Sequence, residues 1–196
     1  EPNHFTETDI TLASTFADQV AVALENARIF KETQDQAITD PLTGMYNRRG
    51  LFELARVDFI RSLSLGRPFS GIMVDLDHFK HINDTYGHSV GDQVLREIAK
   101  RCKNCVREID YVSRYGGEEF VIVLPETNMD TGLIVAERLR ADIAGKPMNA
   151  GEGLELNITA SLGVAQRDEN TTSLEMLITR ADQAMYVAKH KGRNRV

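Results

Sequence analysis

Asp75 and Asp77 close an apolar run of strand length, Phe69–Leu76, and two further carboxylates, Glu118 and Glu119, follow the pair Gly116-Gly117 further along. Acids at the end of a buried strand are a common place to hold Mg²⁺, which takes a few carboxylates plus substrate phosphates rather than a full protein cage. Strand-forming residues flank the second group: Tyr111 and Val112 come before the glycines and residues 120–124 after them. Arg114-Tyr115-Gly116-Gly117-Glu118-Glu119-Phe120 therefore reads as a hairpin. Glycines in its turn allow positive φ and let a backbone or a phosphate come close. Successive strand side chains point to opposite faces, so Glu118 and Glu119 take different jobs: one holds a cation in a cleft, the other braces the hairpin. Each group alone has a plain structural reading, as helix N-caps or an ordinary turn. Together they suit metal-assisted phosphate chemistry.

The elements that must position these groups show in the periodicity. Residues 47–65 read as a helix that stops near Gly66 and Pro68, and 69–76 as the first core strand. A second helix is expected over 90–106, and the hairpin over 111–114 and 119–124. Residues 128–144 read as a helix with Ile134, Leu139 and Ile143 toward the core. Strands follow in 154–165 and a last helix in 173–190. A hairpin flanked by strand–helix units gives an α/β sandwich, with a mixed, mainly antiparallel sheet flanked by helices.

Residues 11–37 read differently. Ala13, Phe16, Val20, Ala23, Ala27, Phe30, Gln34 and Ala37 recur at alternating three- and four-residue steps. That is a heptad seam, suited to a parallel coiled coil; a helix packed on its own domain is the alternative.

Composition bounds the partners. Hydrophobic residues make up 42% of 196, as expected of a soluble globular chain. No apolar run approaches the ~20 residues of a membrane span, and no charged-then-apolar leader is expected. The net charge is −6, and residues 1–36 alone carry seven acids and two bases. The remainder is close to neutral and has no basic stripe, which argues against nucleic acid as a partner. Cys102 and Cys105 form a lone Cys-x-x-Cys that could be a redox pair or half a zinc site. They lie on the expected second helix without another Cys/His pair at ligand spacing, so they read as structural. Free thiols fit a reducing, cytoplasmic location.

Five motifs in order carry a resemblance. Asp75-x-Asp77-x-Phe79-Lys80-x-x-Asn83-Asp84-x-x-Gly87-His88-x-x-Gly91-Asp92, followed by the Arg114–Phe120 stretch, resembles the GGDEF family of diguanylate cyclases, in its Gly-Gly-Glu-Glu-Phe form. The resemblance covers about residues 37–196. Asp40-Pro41-Leu42-Thr43-Gly44 and Asn47-Arg48-Arg49 extend it in front. Ala160-Ser161-Leu162-Gly163-Val164 and Lys189-x-x-Gly192-Arg193-Asn194 extend it behind. It implies a ferredoxin-like core similar to nucleotidyl-cyclase and polymerase palm domains. The string from Phe5-Thr6-Glu7-x-Asp9-Ile10 to Glu25-Asn26-Ala27 looks like the last helix of a GAF sensory domain. Residues 1–36 are thus expected to be the C-terminal helix of a truncated GAF-like domain and a coiled-coil linker, and 37–196 the cyclase domain.

The resemblance implies condensation of two GTP into cyclic di-GMP, with release of two pyrophosphates, at a homodimer interface. Asp75 and Glu118 would hold Mg²⁺ (or Mn²⁺), with the Leu76 carbonyl as a backbone ligand. Asn83 and Asp92 would read guanine. Backbone N–H groups around His78, Phe79 and Lys80, with the Lys80, Lys189 and Arg193 side chains, would bind the β- and γ-phosphates, and Gly117 would let the substrate reach the turn. The plain reading of Lys189-His190-Lys191 is a basic cap on a helix end. The imidazoles of His78, His81 and His88 are not at ligand spacing and read as packing or loop groups. Glu119 is a candidate base for the 3′-hydroxyl, with a structural role equally open.

Arg107-Glu108-Ile109-Asp110 matches in spacing the family's Arg-x-x-Asp inhibitory site for cyclic di-GMP. Arg138 would be the second arginine and Arg61 a further one from a neighbouring subunit. The plain reading is an exposed turn with a local Arg–Asp pair. Three other readings stay open for the whole chain: a receptor that binds cyclic di-GMP without making it, a cyclase making a 3′,5′-cyclic mononucleotide, and a dimerising relay.

Overall fold

Phe69–Leu76 is buried along all eight residues, as a strand covered on both faces must be. It is β1 of a chain that runs α1 (Glu7–Ile38), α2 (Arg48–Leu65), β1 (Phe69–Leu76), α3 (Phe79–Tyr86), α4 (His88–Asn104), β2 (Tyr111–Arg114), β3 (Glu119–Pro125), α5 (Met129–Gly145), β4 (Met148–Asn149), β5 (Glu155–Leu156), β6 (Ala160–Gln166) and α6 (Leu174–His190). The structure, a computed structural model, describes residues 6–151 and 153–196, and their side chains other than those at 27 and 29–37. Contacts divide the chain into two units, residues 1–37 and 38–196.

In the larger unit the four main strands lie in the order β2-β3-β1-β6. All three pairings are antiparallel, and a single bridge from Tyr46 to Ser113 supplies the parallel component. With helices in both crossovers this is the ferredoxin-like arrangement expected from the sequence. The period-2 alternation splits the sheet into two faces. Ile72, Val74, Leu76, Phe120, Ile122 and Leu162 meet Leu95 and Ile98 of α4 and Leu139 and Ile143 of α5. Phe69, Met73, Val121 and Val123 meet Leu51, Ala55 and Phe59 of α2 and Leu177, Ala181 and Met185 of α6. Each large side chain so buried contributes about 1.5–3 kcal/mol.

Helix starts follow their caps. The Asn47 side chain accepts from Gly50 N at 2.9 Å, and the Asn128 side chain from Thr131 N at 3.0 Å. α2 ends at Gly66, whose φ of 63° closes the helix in the left-handed region.

Three expectations need correction. Ile134 is 65% exposed, because the buried stripe of α5 runs through Gly132, Ala136, Leu139 and Ile143 and position 134 lies on the other side. The helix expected over 90–106 begins earlier, at His88, and is preceded by a separate helix, α3, which the sequence reading lacked. The strands expected in 154–165 are two pieces, and the first pairs with a further two-residue strand, β4.

In the N-terminal unit, α1 is a helix of 32 residues. Phe16 and Val20 of the expected seam are exposed, as are Ile10, Leu12, Val22 and Leu24. The side chains of Ala27, Phe30, Gln34 and Ala37 lie outside the described residues, as does Phe5. No described helix is long and apolar enough to cross a membrane.

Candidate active site

The end of β1 gathers the acids. In the antiparallel register Asp75 stands opposite Glu119 on β3 and opposite Ser161 on β6, which puts all three on the α2/α6 face. Lys189, in the last turn of α6, reaches this face: its Nζ lies 2.7 Å from Asp75 Oδ2. α6 sits this close because residue 163 is glycine. A Cβ there would stand 2.1 Å from the Met185 nitrogen and 2.2 Å from the Ala181 oxygen. Burial pushes the Asp75 carboxyl above the usual carboxylate range, with Glu118 and Asp77 adding to the effect and Lys189 opposing it. Burial likewise raises Glu119, helped by Asp75 and Asp182.

The two glutamates separate as expected of strand neighbours. Glu119 lies beneath the hairpin turn: its carbonyl accepts from Tyr115 N at 2.8 Å and from Gly116 N at 3.3 Å. Its carboxylate oxygen stands 2.6 Å from where a Cβ on Gly116 would be, so a side chain there would make the Glu119 carboxylate shift. Around Gly117 a Cβ would meet nothing within 4 Å, which leaves open space on that side of the turn. Glu118 is half-buried at the strand entrance and adds its charge to Asp75 and Glu119.

After β1 the chain turns sharply through His78, whose φ of 59° and ψ of 23° are left-handed, and enters α3. The first N–H groups of a helix have no intrahelical acceptor, so those at the start of α3 are available to an anion, with the helix dipole behind them. Lys80 is exposed on this first turn. Asn83 lies on α3 and Asp92 on α4, joined through Gly87 at φ 83°. A Cβ on Gly91 would stand 1.9 Å from Asn83 Oδ1, so glycine at 91 is what lets the Asn83 amide rest beside the residue preceding Asp92. Arg193 follows α6 at φ 62° and is exposed. The imidazoles of His78, His81 and His88 are also exposed.

Two strands of the support escaped the sequence reading. Asp77 is 5% exposed and accepts from Thr159 Oγ1, Ser161 Oγ and Asn194 N. Arg114 donates to the Gly117 carbonyl at 2.9 Å and to Asp40 Oδ2 at 3.1 Å, strapping the hairpin turn to the segment before α2. Although partial burial works against the charge, Thr43 and Arg114 hold the Asp40 carboxyl below the usual range. The Asp-Pro-Leu-Thr-Gly turn was visible in the sequence; its partner at 114 was not.

Arg107 and Asp110 pair at the far end of the sheet. Arg107 Nη2 lies 2.7 Å from Asp110 Oδ1 and also donates to the Pro125 carbonyl at 3.0 Å. Pro125 pairs with Phe69, at the other end of β1 from Asp75 and Glu119. At about 3.3 Å per residue the two ends are roughly 20 Å apart. A cavity of about 530 Å³ brings Arg107 together with Arg138, Arg101 and Lys146. The Arg138 guanidinium donates to the Cys105 carbonyl on its wall. Arg61 lines a different cavity, with Asp58, Arg67 and Glu126. Cys102 and Cys105 are both free thiols, raised by burial, and Cys102 is part of the core.

The donor set at the end of β1 suits a divalent cation that keeps water and phosphate ligands. Buried Asp75, with Glu118 and Glu119 near it, concentrates negative charge against one lysine, and a bound cation would relieve it. Among the described residues no three His, Cys, Asp or Glu side chains converge to hold a metal by themselves.

Fold and site together define a ferredoxin-like α/β sandwich that gathers acids, a lysine and a helix N-terminus at one end of its sheet. Residues 37–195 match the family of the diguanylate cyclase, GGDEF domain. The response regulator PleD of Caulobacter vibrioides is 45% identical over 163 residues, which cover 82% of this chain and 36% of PleD. The diguanylate cyclase DgcM of Escherichia coli K12 is 41% identical over 172 residues, 88% of this chain and 41% of DgcM. The crystal structure of the coiled coil and GGDEF domain of DgcB from Caulobacter crescentus, in complex with c-di-GMP, matches with a TM-score of 0.88 at 29% identity, over 95% of this chain and 98% of that one. The chain belongs to the GGDEF family of diguanylate cyclase domains. It spans well under half the length of PleD or DgcM.

Proposed function

We propose that this chain is a diguanylate cyclase that condenses two GTP into cyclic di-GMP. The observation that carries the reading is the meeting of Asp75, Glu119 and Lys189 at the end of β1, where the chain turns into the N-terminus of α3. In each half-reaction a 3′-hydroxyl oxygen bonds to the α-phosphorus of the other nucleotide. The bond to the β-phosphate bridging oxygen breaks, pyrophosphate leaves and the hydroxyl proton is lost. Two such steps close the ring.

Asp75 and Glu118, with the Leu76 carbonyl, would hold a Mg²⁺ (or Mn²⁺) ion, whose charge would offset the charge developing on the phosphates. The N–H groups at the start of α3 and the Lys80, Lys189 and Arg193 side chains bind the β- and γ-phosphates. Gly117 keeps the turn open to them. The Asn83 amide donates to the guanine edge and the Asp92 carboxylate accepts from it. Glu119, placed under the turn and opposite Asp75, supports the hairpin.

One chain offers half a site, so the active species is a homodimer. We read residues 1–36 as the C-terminal helix of a GAF-like domain and a signalling linker, and 37–196 as the cyclase domain. The cavity of Arg107 and Arg138, with Asp110 holding Arg107, takes the product as an inhibitor. The substrate and the free thiols agree with a cytoplasmic reaction. Incubation with GTP and Mg²⁺, with the product identified by chromatography, should yield cyclic di-GMP. Binding of cyclic di-GMP without turnover would make the chain a receptor, and cyclic GMP would make it a mononucleotide cyclase.

A further inference from the structure

Asp77 is a buried carboxylate with an unusual set of partners. Oδ1 accepts from Ser161 Oγ at 2.7 Å, and Oδ2 from Thr159 Oγ1 at 2.6 Å and from the backbone N–H of Asn194 at 3.0 Å. Its own N–H donates to the Thr159 carbonyl at 2.9 Å. Among the described residues no lysine or arginine pairs with it, and it lies close enough to Asp75 for the two charges to repel. A buried charge in that position is costly unless its hydrogen bonds are strong ones. Two of its donors come from the strand side, and the third comes from the C-terminal tail.

That tail has an unfavourable backbone. Gly192, Arg193 and Asn194 all have positive φ, at 113°, 62° and 47°, and two of the three are not glycine. Such residues persist only where the surroundings hold them. The holding contacts converge on Asn194: its N–H on Asp77, and its side-chain oxygen accepting from Arg140 at 2.7 Å. The next residue, Arg195, accepts from Leu162 N at 2.9 Å. Asp77 is also adjacent to His78, the residue that opens α3. One carboxylate thus ties the N-terminal turn of α3 to the residue after Arg193.

We propose that Asp77 is a positioning residue that fixes Arg193 opposite the N-terminus of α3, so that the two halves of the triphosphate site keep their spacing. The inference rests on the reading of Arg193 as a β- and γ-phosphate ligand. Asp77 itself touches no substrate. An asparagine at 77 carries no charge, so even where its single acceptor oxygen faces the Asn194 N–H the charge-assisted bond that holds the tail is lost.

The experiment measures binding of α,β-methylene-GTP, which cannot lose pyrophosphate, and of GMP, which lacks the outer phosphates, by calorimetry with Mg²⁺ on the whole chain. Asp77→Asn should weaken the analogue on the order of tenfold and leave GMP within about twofold. Arg193→Ala should do the same, and the double variant should be no weaker than Arg193→Ala alone. Asn194→Pro, on the exposed tail, removes the N–H and, because proline cannot take φ 47°, frees the tail from Asp77; it should reproduce the pattern even if Asp77→Asn folds poorly. Equal weakening of both ligands, or additive losses in the double variant, overturns the inference. If Arg193→Ala weakens the analogue while neither Asp77→Asn nor Asn194→Pro does, the anchor alone fails. If Arg193→Ala has no effect, the phosphate reading of Arg193 fails and takes the anchor with it.

Discussion

Lys189 Nζ lies 2.7 Å from Asp75 Oδ2, linking the last turn of α6 to the end of β1. The contact depends on how closely α6 lies on β6, which Gly163 permits. It brings a cation that can bind phosphate to the carboxylate that can hold a metal, so both sit ready on one face of the sheet. The pairing leaves Asp75 short of full compensation, since its carboxyl remains raised by burial and by its acidic neighbours.

That imbalance has a sign. A carboxyl raised in the fold binds its proton more tightly there than in the unfolded chain. Ionised Asp75 therefore lowers stability, by an amount that is absent below the unfolded value near ~3.9 and grows as pH rises to the folded value. Asp75→Asn should hold or raise the melting temperature at pH 7, with the difference from wild type vanishing as pH falls through that window, and should abolish cyclic di-GMP synthesis. A variant that melts well below wild type at pH 7 would show that the Lys189 pair outweighs burial.

Glu118→Gln keeps the shape of the side chain and removes its charge from the acid group. If Glu118 helps to hold a divalent cation, turnover should fall roughly a hundredfold or more, since metal stabilisation of phosphate charge is worth several kcal/mol. The melting curve and cyclic di-GMP binding should stay close to wild type. Steady-state rates with GTP and Mg²⁺ check this, and near-normal turnover rules out Glu118 as a ligand.

Gly163 on β6 and the hairpin glycines separate fold from function. At Gly163 a Cβ would meet helix backbone at 2.1 Å, and at Gly116 the Glu119 carboxylate at 2.6 Å. At Gly117 it would meet nothing within 4 Å, and no positive φ occurs there. Gly163→Ala should destabilise by about 3 kcal/mol or more, by overpacking against backbone that cannot yield. Gly117→Ala should stay within about 0.5 kcal/mol of wild type while raising KM for GTP, if the turn is where the substrate approaches. Urea unfolding and initial rates on both variants decide it.

The sheet and its hairpin were legible because their signals are local: a Gly-Gly pair between strand formers, and an apolar run that is buried throughout. α3 was not, since it makes little more than two turns and only Phe79, Ile82 and Tyr86 mark its apolar side. The strap of Asp40 to Arg114 and the contacts of Asp77 join residues 74 to 117 positions apart, which no spacing rule reaches. Ile134 was misplaced because the small residues Gly132 and Ala136, not the large one, mark the buried side of α5. The acids that could carry chemistry were named from the sequence, whereas the groups that set their positions needed the fold.

If Asp92 reads guanine, it sets the choice of base. Guanine offers N1–H and the 2-amino group as donors to a carboxylate, and adenine offers neither in that geometry, so an unpaired half-buried carboxylate should disfavour ATP strongly. Asp92→Ser should let ATP compete and yield some cyclic GMP-AMP from an equal mixture. Abundant mixed product from the wild type would remove Asp92 as the discriminator.

If each chain offers half a site, activity depends on association. Specific activity should rise with protein concentration around the dimer dissociation constant, and Phe16→Ser, on an exposed position of α1, should shift that rise to higher concentration. Constant specific activity on dilution to a species shown to be monomeric by sedimentation would sink the two-half-site reading.

Product inhibition is the prediction that separates the two ends of the sheet. Arg107 is held by Asp110, the Pro125 carbonyl and Thr127, and shares its cavity with Arg138, at the opposite end of β1 from Asp75. A ligand with phosphates and guanine edges would find two arginines there, one of them held in place by the buried Asp110 carboxylate. Binding roughly 20 Å from the acids cannot displace GTP directly, so inhibition should be noncompetitive. Removing the guanidinium should cost about 1.5–3 kcal/mol of product affinity, roughly a tenfold to hundredfold rise in the inhibition constant. Arg107→Ala should therefore turn over GTP at first as wild type does, and continue after wild type has slowed. Calorimetry with cyclic di-GMP, run beside progress curves on both proteins, checks the two halves together. Equal binding and equal slowing would return Arg107 and Asp110 to the plain role of closing the turn before β2.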